Sequence, residues 1–429
     1  FSWVSVGRSL PGNQNEPHVI SCSNTRAING IGINIIMAKR LLILFIFFIT
    51  VIVFFTISNS LNNTANLATS RLGMDIQAAL NFPQSSDFQQ VIGHREFTFP
   101  DDHGPHPDYG VEWWYFTGNL STEDKRHFGY QLTLFRVGLG QGEVKRESLW
   151  STSQLYMGNL ALSDVQNTKF YPFERVNREA LDFSGAVVTD EGNFRIWIDD
   201  WIIDGAGSDQ PTVRILAKEG LLKIDLTLQS TKPVILNGQL GLSRKNQELG
   251  GASYYYSCTR MATEGFITLG EENMQVAGLS WMDREWSTSA LSEKQIGWDW
   301  FGLQLSDGRD LMLYQFLTGE GKVDSNSSGT IIEQDGTYHF LNFDDFAITN
   351  LDHWISRISG TQYPSTWQIE IPDHGLDITI KPYFEDQEFN GIIRYWEGAV
   401  SLVGSSDSRF VTGSGYVEMT RSTSKTKLK

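Results

Sequence analysis

Two acidic residues separated by one position stand in the segment 281–287, Trp-Met-Asp-Arg-Glu-Trp-Ser. In a β-strand, side chains two positions apart point to the same face, so Asp283 and Glu285 share one face of this segment. Arg284 and Trp286 point to the other face. Two carboxyl groups held close together raise the pKa of one of them, which leaves a neutral acid that can donate a proton near neutral pH. The same residues can instead form an Arg/Glu salt-bridge network, and both interpretations stay open.

A second polar cluster, Phe-Pro-Asp-Asp-His-Gly-Pro-His-Pro-Asp at residues 99–108, combines prolines and a glycine with histidines and aspartates. This composition predicts a stiff loop whose side chains can be held in fixed directions. The spacing of His103, His106 and Asp108 would suit a metal ion, but no helix presents them on one face. A hydrogen-bonded loop that closes one end of a barrel is the favoured interpretation, and we predict neither a metal site nor a cofactor.

Aromatic side chains are concentrated in residues 394–398, Arg-Tyr-Trp-Glu-Gly, and recur near 413–418, Gly-Ser-Gly-Tyr-Val-Glu. Aromatic side chains at this density can line an apolar pocket and stabilise a developing carbocation with their π electrons. They can equally be core residues. Most of the 13 tryptophans must pack in the interior, so only a few are candidates for a site.

The overall composition excludes several kinds of partner. The chain of 429 residues carries 34 basic and 50 acidic residues, a formal net charge of −16, so the clustered Lys and Arg of a nucleic-acid-binding protein are not expected. Of the two cysteines, Cys22 lies in a region that we exclude from the fold, and Cys258 is expected to be a small, buried apolar residue. Disulfides and cysteine-based zinc sites are therefore not expected.

The amino-terminal region has the pattern of an export signal. Residues 37–40, Met-Ala-Lys-Arg, precede the apolar run from Leu41 to Ile57, and a polar stretch continues to residue 70. The run is long for a cleaved signal peptide and short for a membrane span, so cleavage and membrane anchoring both stay open. We expect an exported protein that is periplasmic, secreted or anchored, and we interpret residues 1–36 as non-native upstream translation and 37–70 as signal or anchor and linker.

From residue 95 onward, short runs of alternating apolar and polar residues predict half-buried strands. The runs 128–135 and 221–228 are examples, and similar runs recur as far as Thr420. The sequence has no long amphipathic helical pattern. It therefore predicts an all-β protein built of antiparallel barrels or sandwiches.

An internal repeat predicts two copies of one unit. Trp-Trp-Tyr-Phe at 113–116 and Trp-Asp-Trp-Phe at 298–301 each lead through a polar turn into a second strand of a hairpin. Upstream of them stand Arg-Glu-Phe at 95–97 and Arg-Glu-Trp at 284–286. Aromatic strands also resemble one another by chance, but duplication is the better interpretation.

Several motifs, taken in order, resemble those of a known family. They are Phe-Pro-x-Asp-His-Gly-Pro-His-Pro at 99–107, Glu-Trp-Trp-Tyr at 112–115, Tyr-Met-Gly-Asn at 156–159, Ser-Tyr-Tyr-Tyr-Ser at 253–257, Trp-Met-Asp-Arg-Glu-Trp at 281–286, Gly-Trp-Asp-Trp at 297–300, Tyr-Trp-Glu-Gly at 395–398 and Gly-Ser-Gly-Tyr-Val-Glu at 413–418. The chain thereby resembles the AttH-like family, which contains the carotenoid 1,2-hydratases (hydroxyneurosporene synthases) and "predicted secreted hydrolases". The resemblance implies two tandem lipocalin-like antiparallel β-barrel or sandwich domains. We place them at residues 90–264 and 265–421, with residues 422–429 as a tail.

The best-known members of this family add water to the terminal double bond of an acyclic carotenoid. The reaction needs a proton donor, a surface that tolerates a tertiary cation and a positioned water, and it needs no cofactor. The resemblance implies that Asp283 or Glu285 is the acid, while Asp102 and His103 orient the water. The aromatic residues expected to bind the ligand are Trp114, Trp286, Trp298, Trp300, Tyr314, Tyr395 and Trp396.

Two positions depart from the family's pattern, because Arg284 and Asn159 stand where many relatives have His. Arginine does not shuttle protons at neutral pH, so two functions stay open. One is an exported protein that binds an apolar isoprenoid, polyene or lipid and hydrates it. The other is a non-catalytic lipid carrier or envelope-binding protein. A secreted hydrolase has less support, because the sequence lacks a Gly-x-Ser-x-Gly elbow.

Overall fold

Strands make up almost all of the regular structure in the part of the chain that the computed structural model describes, residues 88–140, 151–288, 291–292 and 294–421. These residues belong to one compact unit. They form two antiparallel sheets and three single-turn 3₁₀ helices, Asp101–His103, Phe343–Asp345 and Pro372–His374.

The first sheet has 13 strands among the described residues. In chain order they are β1 (Val111–Ser121), β2 (His127–Gly138), β3 (Gln154–Asp164), β4 (Lys169–Arg178), β5 (Ser184–Val188), β6 (Asn193–Ile198), β7 (Trp201–Ala206), β8 (Thr212–Glu219), β9 (Leu222–Ser230), β10 (Ile235–Leu236), β11 (Leu242–Arg244), β12 (Ala252–Leu269) and β13 (Glu272–Ser287). Their order across the sheet is β4-β3-β2-β1-β13-β12-β9-β8-β7-β6-β5, and β10 and β11 both pair with β12. The first strand in the chain thus pairs with the last.

The second sheet has 10 strands in the same described part. They are β14 (Gln295–Leu305), β15 (Asp310–Thr318), β16 (Ser328–Ile332), β17 (Tyr338–Leu341), β18 (Ala347–Ile355), β19 (Gln362–Ile371), β20 (Leu376–Pro382), β21 (Glu388–Asn390), β22 (Arg394–Ser406) and β23 (Arg409–Thr420). Their order is β17-β16-β15-β14-β23-β22-β20-β19-β18, with β21 paired to β22. Here too the first and last strands are neighbours.

The two sheets follow one plan. Each begins with a hairpin, β1–β2 or β14–β15, at the aromatic segment that marks the internal repeat. The turn of the second hairpin contains Gly308 at a φ of 91°, a left-handed conformation that glycine adopts at little cost. In each sheet, the three strands that follow the first strand lie on one side of the first–last strand pair, and the remaining strands lie on the other side. The predicted all-β fold, two tandem lipocalin-like antiparallel sheets, is confirmed.

The segment that connects the first sheet to the second lies between Ser287, the end of β13, and Gln295, the start of β14. The division predicted between residues 264 and 265 falls inside β12, so it does not separate the sheets. The division was placed after the last long strand expected in the first domain, but β12 continues to Leu269 and β13 still belongs to the first sheet. The match of 284–286 with 95–97 in the internal repeat is also not structural. Residues 284–286 belong to β13 and pair with β1, whereas 95–97 lie outside any strand.

The central strands are buried on both faces. One face of the first sheet packs around its own apolar core, to which β1 contributes Trp114 and Phe116. The second sheet does the same with residues such as Phe301 of β14. The residues between these positions, including Tyr115 of β1 and Trp300 of β14, meet in a third apolar cluster shared by both sheets. Side chains alternate along each strand, so one set packs in the core of its own sheet and the other set packs in the interface between the two sheets.

None of the helices in the described residues is long and apolar enough to span a membrane. The expected export segment from Leu41 to Ile57 lies outside the described residues, as do the predicted upstream region 1–36 and the tail 422–429.

Candidate active site

A cavity lies where the two sheets meet, and the space inside it and at its open mouth together amounts to about 950 Å³. Aromatic side chains of both sheets form much of its wall. The first sheet contributes Trp113 and Phe135, and the second contributes Trp298, Trp300 and Phe316. Such a surface suits an apolar ligand.

Strand register explains which residues of the first sheet reach this cavity. In the β1–β13 pair, Trp113 lies opposite Glu285 and Tyr115 lies opposite Asp283. On the other side of β13, Tyr255 of β12 lies opposite Glu285. Because residues that lie opposite each other in an antiparallel pair share a face, all five side chains line the same cavity. The prediction that Asp283 and Glu285 share one face is therefore confirmed.

Asp283 is a buried carboxyl group that receives three hydrogen bonds. Ser257 Oγ and Trp281 Nε1 donate to its Oδ1 at 2.5 and 2.6 Å, and the Tyr255 hydroxyl donates to its Oδ2 at 2.6 Å. Burial raises the pKa of Asp283 to about 7, although these hydrogen bonds oppose the rise. The carboxyl is thus able to hold a proton near neutral pH and to release it to a base.

Glu285 has a different environment from Asp283, although both face the cavity. Lys245 Nζ lies 2.7 Å from Glu285 Oε1, and Ser253 Oγ donates a hydrogen bond to the same oxygen. The ammonium group also lies 5.0 Å from the ring centre of Tyr314 and 5.7 Å from that of Phe316. Of the two candidate acids, Glu285 is therefore held by a cation, whereas Asp283 is held by neutral hydroxyl and indole donors. Asp283 thus has the environment of a proton donor.

The hydroxyl of Tyr255 joins the acid to the second sheet. It accepts a hydrogen bond from Trp300 Nε1 at 3.0 Å while donating to Asp283. The chain of hydrogen bonds from Trp300 through Tyr255 to Asp283 therefore fixes the carboxyl relative to an aromatic wall supplied by the other sheet.

A second group of carboxyls belongs to the second sheet. Glu397 of β22 and Glu418 of β23 lie opposite each other in register. Glu397 is fully buried and accepts a hydrogen bond from the Tyr115 hydroxyl at 2.6 Å. Glu418 is half-buried, lines the cavity and accepts one from Trp298 Nε1 at 2.8 Å. Burial raises the pKa of Glu418 to about 7, and burial together with the charge of Glu418 raises the pKa of Glu397 well above its usual range.

Asn159 presents an unused acceptor at the same cavity. Its amide nitrogen donates to the Tyr395 hydroxyl at 2.9 Å, whereas its buried Oδ1 has no hydrogen-bond partner among the described residues. A buried acceptor without a partner costs free energy, so this atom is suited to receive a hydrogen bond from water or a ligand.

The aromatic residues predicted to bind a ligand divide into two groups. Trp298, Trp300, Tyr314 and Tyr395 line the cavity. The other three point away from it. Trp114 belongs to the core of the first sheet, Trp396 to the core of the second, and Trp286 to a cluster under the 88–110 segment. Each of these three adjoins a cavity-lining residue in its strand, and alternation sends neighbours to opposite faces.

Asp102 and His103 lie away from the cavity, in the 3₁₀ helix Asp101–His103. Both ring nitrogens of His103 are occupied, by the Tyr256 hydroxyl at 2.7 Å and the Ser208 carbonyl at 2.6 Å. Burial lowers the pKa of His103 to about 4, so its imidazole is neutral at physiological pH. The structure therefore does not support the role of orienting water, and the interpretation as a hydrogen-bonded loop is the better one.

Asp102 serves the same loop. It accepts hydrogen bonds from Arg95, from the Thr98 amide at 2.7 Å and from His106 Nε2 at 2.9 Å. Burial alone would raise the pKa of Asp102, but these bonds and the charge of Arg95 outweigh it and lower the pKa. In the described part of the chain, no group of three or more His, Cys, Asp and Glu residues is arranged to hold a metal ion.

Arg284 lies on the face of β13 opposite to the cavity. It forms a buried ion pair with Glu112, which also pairs with Arg136, and its guanidinium stacks 3.9 Å from the ring centre of Trp114. The salt-bridge network considered as an alternative thus exists, but its acid is Glu112. Because residue 284 does not face the cavity, the arginine at this position removes no proton carrier from it.

Several cavity residues were not predicted as site residues, among them Trp113, Tyr115, Tyr255, Lys245 and Glu418. For the first two, the signal was present in the sequence. Trp113 and Tyr115 alternate with Trp114 along β1. The pairing of β1 with β13 is enough to show that Trp113 and Tyr115, rather than Trp114, share the face of Asp283 and Glu285. Lys245 and Glu418 are brought to the cavity by a loop and by the last strand, which local patterns do not connect to Asp283.

Comparisons with known proteins agree with this architecture. A family model described as AttH-like matches residues 90–422. A solved structure of a putative AttH from Nitrosomonas europaea is 28% identical, with a TM-score of 0.67, and the match covers 78% of this chain and 99% of that one. Kievitone hydratase from Nectria haematococca is 17% identical, with a TM-score of 0.57 and coverage of 79% and 97%, a likeness of fold. No curated protein sequence gives a significant match.

The raised pKa of Asp283 predicts a pH-dependent effect of Asp283→Asn on stability. Because the folded protein binds this proton more tightly than the unfolded chain does, the wild type loses stability as the pH rises from about 4 to about 7. The amide of asparagine does not titrate and can keep the bonds from Ser257 and Trp281. We expect the variant to be more stable than the wild type by on the order of 2–4 kcal/mol at pH 8, and nearly equal at pH 4, in urea denaturation.

The control for that experiment is Glu272→Gln, which removes an exposed carboxylate from the same strand. Because its ion pair with Arg126 is exposed on the glutamate side, its effect on the free energy of unfolding should be below about 1 kcal/mol. A loss of stability in Asp283→Asn at pH 8 would mean that the charged carboxylate is well solvated in the fold.

The buried position of Arg284 predicts that Arg284→Ala is strongly destabilising. Its removal leaves a buried carboxylate, Glu112, with one cation fewer, and we expect a loss of about 3 kcal/mol. Arg195→Ala, which breaks the exposed ion pair with Asp204, should cost less than about 1 kcal/mol. Denaturation curves of the two variants measure the difference, and equal losses would contradict the structural role given to Arg284.

Proposed function

Because the chain belongs to the AttH-like family, we propose that it is a cofactor-free hydratase that binds an apolar alkene between its two sheets and adds water to it. The ligand class that fits the aromatic walls is an isoprenoid, a polyene or another lipid-like molecule. Kievitone hydratase, whose fold this chain resembles, is by its name a hydratase, and this likeness agrees with the proposal.

The observation that carries the proposal is the buried carboxyl of Asp283 at the wall of an aromatic cavity. Addition of water to an alkene begins with proton transfer to carbon, and a general acid is most effective when its pKa lies near the working pH. Asp283 meets that requirement, with a pKa raised by burial to about 7. Its Oδ1 already accepts two hydrogen bonds, so the acid proton belongs on Oδ2, beside the Tyr255 hydroxyl.

The remaining steps have suitable groups in the same cavity. The indole rings of Trp298 and Trp300 can stabilise the cation that forms when the alkene is protonated. The buried Oδ1 of Asn159, which has no hydrogen-bond partner in the described part of the chain, can hold the water that attacks this cation. Because Asn159 stands where many relatives have His, an amide would replace an imidazole in positioning the water.

A non-catalytic lipid carrier is the second candidate, and the aromatic cavity by itself would serve either function. The carboxyls of the cavity favour the enzyme, because a carrier of apolar molecules gains nothing from burying Asp283 at a cost to stability. A hydrolase has less support, since the described residues of the cavity wall include no serine or cysteine beside a histidine. Export of the protein, through the segment from Leu41 to Ile57, remains part of the proposal.

The proposal is tested by incubating the full-length protein with an extract of polar lipids and carotenoids, followed by mass spectrometry. We expect at least one compound to gain the mass of water. Asp283→Asn should lower the rate at least 100-fold, which is the usual effect of removing a general acid.

Glu272→Gln is the matched control, because it removes a carboxyl from the same strand outside the cavity. Its rate should equal that of the wild type. A lipid that co-purifies unaltered and in equal amounts with the wild type and Asp283→Asn would reject catalysis and support a carrier.

A further inference from the structure

The carboxyl pair formed by Glu397 and Glu418 lies on the wall that the second sheet contributes to the cavity. Glu418 is half-buried and faces the cavity directly, whereas Glu397 is fully buried behind it. Neither residue belongs to the first sheet, from which Asp283 comes. The cavity thus has an acidic group on each of its two main walls.

The internal repeat places Glu418 at the position that corresponds to Asp283. The segments 113–116 and 298–301 make Tyr115 equivalent to Trp300. Tyr115 lies opposite Asp283 in the β1–β13 pair, and Trp300 lies opposite Glu418 in the β14–β23 pair. Each half of the molecule therefore sends a carboxyl from its last strand into the common cavity.

The neighbouring strand distinguishes the two positions. In the first sheet, Ser257 lies opposite Asp283 and donates a hydrogen bond to it. In the second sheet, the corresponding residue opposite Glu418 is Glu397. A hydroxyl donor in one half is thus replaced by a carboxyl in the other, and this carboxyl can donate only if it holds a proton.

The hydrogen bonds around the pair are too few for two carboxylate ions. Tyr115 donates to Glu397 and Trp298 donates to Glu418, and the second oxygen of Glu397 has no hydrogen-bond partner among the described residues. Glu285, which also faces the cavity, adds negative charge that acts on Glu418. A fully buried carboxyl beside a half-buried one in such surroundings shares one proton with it.

We propose that Glu418 is the catalytic base that accepts a proton from the attacking water, and that Glu397 is its permanently protonated partner. This role rests on the proposed hydratase function. Glu397 acts through Glu418 as a positioning residue, because it is buried behind Glu418 and lies outside the cavity lining.

With these two groups, every proton and bond of the reaction is accounted for. Asp283 gives its proton to one alkene carbon, so that a C–H bond forms, the π bond breaks and the more substituted carbon becomes a cation. Water forms a C–O bond to that carbon and loses a proton to the Glu418 carboxylate. Return of this proton through solvent to Asp283 restores both groups, and the net change is alkene plus water to alcohol.

The experiment separates the two proton transfers by using lycopene, an acyclic isoprenoid, with the full-length protein in D₂O. In Glu418→Gln, Asp283 still delivers deuterium to carbon, but the cation cannot capture water efficiently. We expect alcohol formation to fall at least 100-fold while deuterium appears in recovered lycopene at least as fast as with the wild type. Asp283→Asn should abolish both signals. Retained deuterium exchange also proves that Glu418→Gln is folded and binds the alkene.

The outcomes distinguish this inference from the proposed function. Alcohol formation at the wild-type rate by Glu418→Gln would reject Glu418 as the catalytic base but would leave the hydratase function supported. Neither alcohol nor deuterium exchange with the wild type, for lycopene and for the extract of polar lipids and carotenoids alike, would reject the hydratase and the base together. Glu397→Gln keeps a neutral hydrogen-bonding partner, so it should lower alcohol formation less than tenfold. A larger loss in Glu397→Gln than in Glu418→Gln would reverse the two roles.

A measurement without substrate tests the shared proton separately. At pH 9, infrared spectra of the wild type should contain the carbonyl band of a protonated carboxyl, and this band should be missing in Glu397→Gln. It should persist in Glu272→Gln. Absence of the band from the wild type would show that both carboxyls are ionised and would reject the shared proton of Glu397 and Glu418.

Discussion

The alternation of side chains along doubly buried strands is the constraint on which the site depends. In β13, Arg284 points to the buried ion network of Glu112, and the residues on either side of it point to the cavity. A register shift of one residue would turn Arg284 towards the cavity and Asp283 towards the buried face that holds Glu112 and Arg136. The pairing of β13 with both β1 and β12 specifies the register, and the position of the acid follows from it.

The cavity also depends on contacts between the two sheets. The Tyr115 hydroxyl of the first sheet holds Glu397 of the second, and Trp300 of the second sheet holds Tyr255 of the first. In the first bond the donor belongs to the first sheet, and in the second bond the donor belongs to the second sheet. Neither half therefore contains a complete site. Carboxyls buried in this way reduce stability, and proteins keep such arrangements where function requires them.

The shared strand order suggests how an asymmetric site arises from a repeated unit. Equivalent strands place Asp283 and Glu418 at corresponding positions, but the residues opposite them, Ser257 and Glu397, differ in chemistry. One carboxyl is surrounded by hydroxyl and indole donors, and the other shares its environment with a second carboxyl. Symmetric backbones can therefore support different acid–base properties on the two walls of one cavity.

The sequence by itself determined the strands, the paired hairpins and the common face of Asp283 and Glu285, because these follow from a local period of two. The same rule already separated Trp286 from Asp283 and Glu285, which shows that its proposed place in the ligand site conflicted with strand geometry. Only the tertiary structure decided which face lines the cavity and which of the two acids is paired with a cation. The pairing of Glu285 with Lys245 joins residues 40 positions apart, and Glu418 arrives from a different sheet. Such contacts depend on strand pairing and sheet packing, which local sequence patterns do not encode.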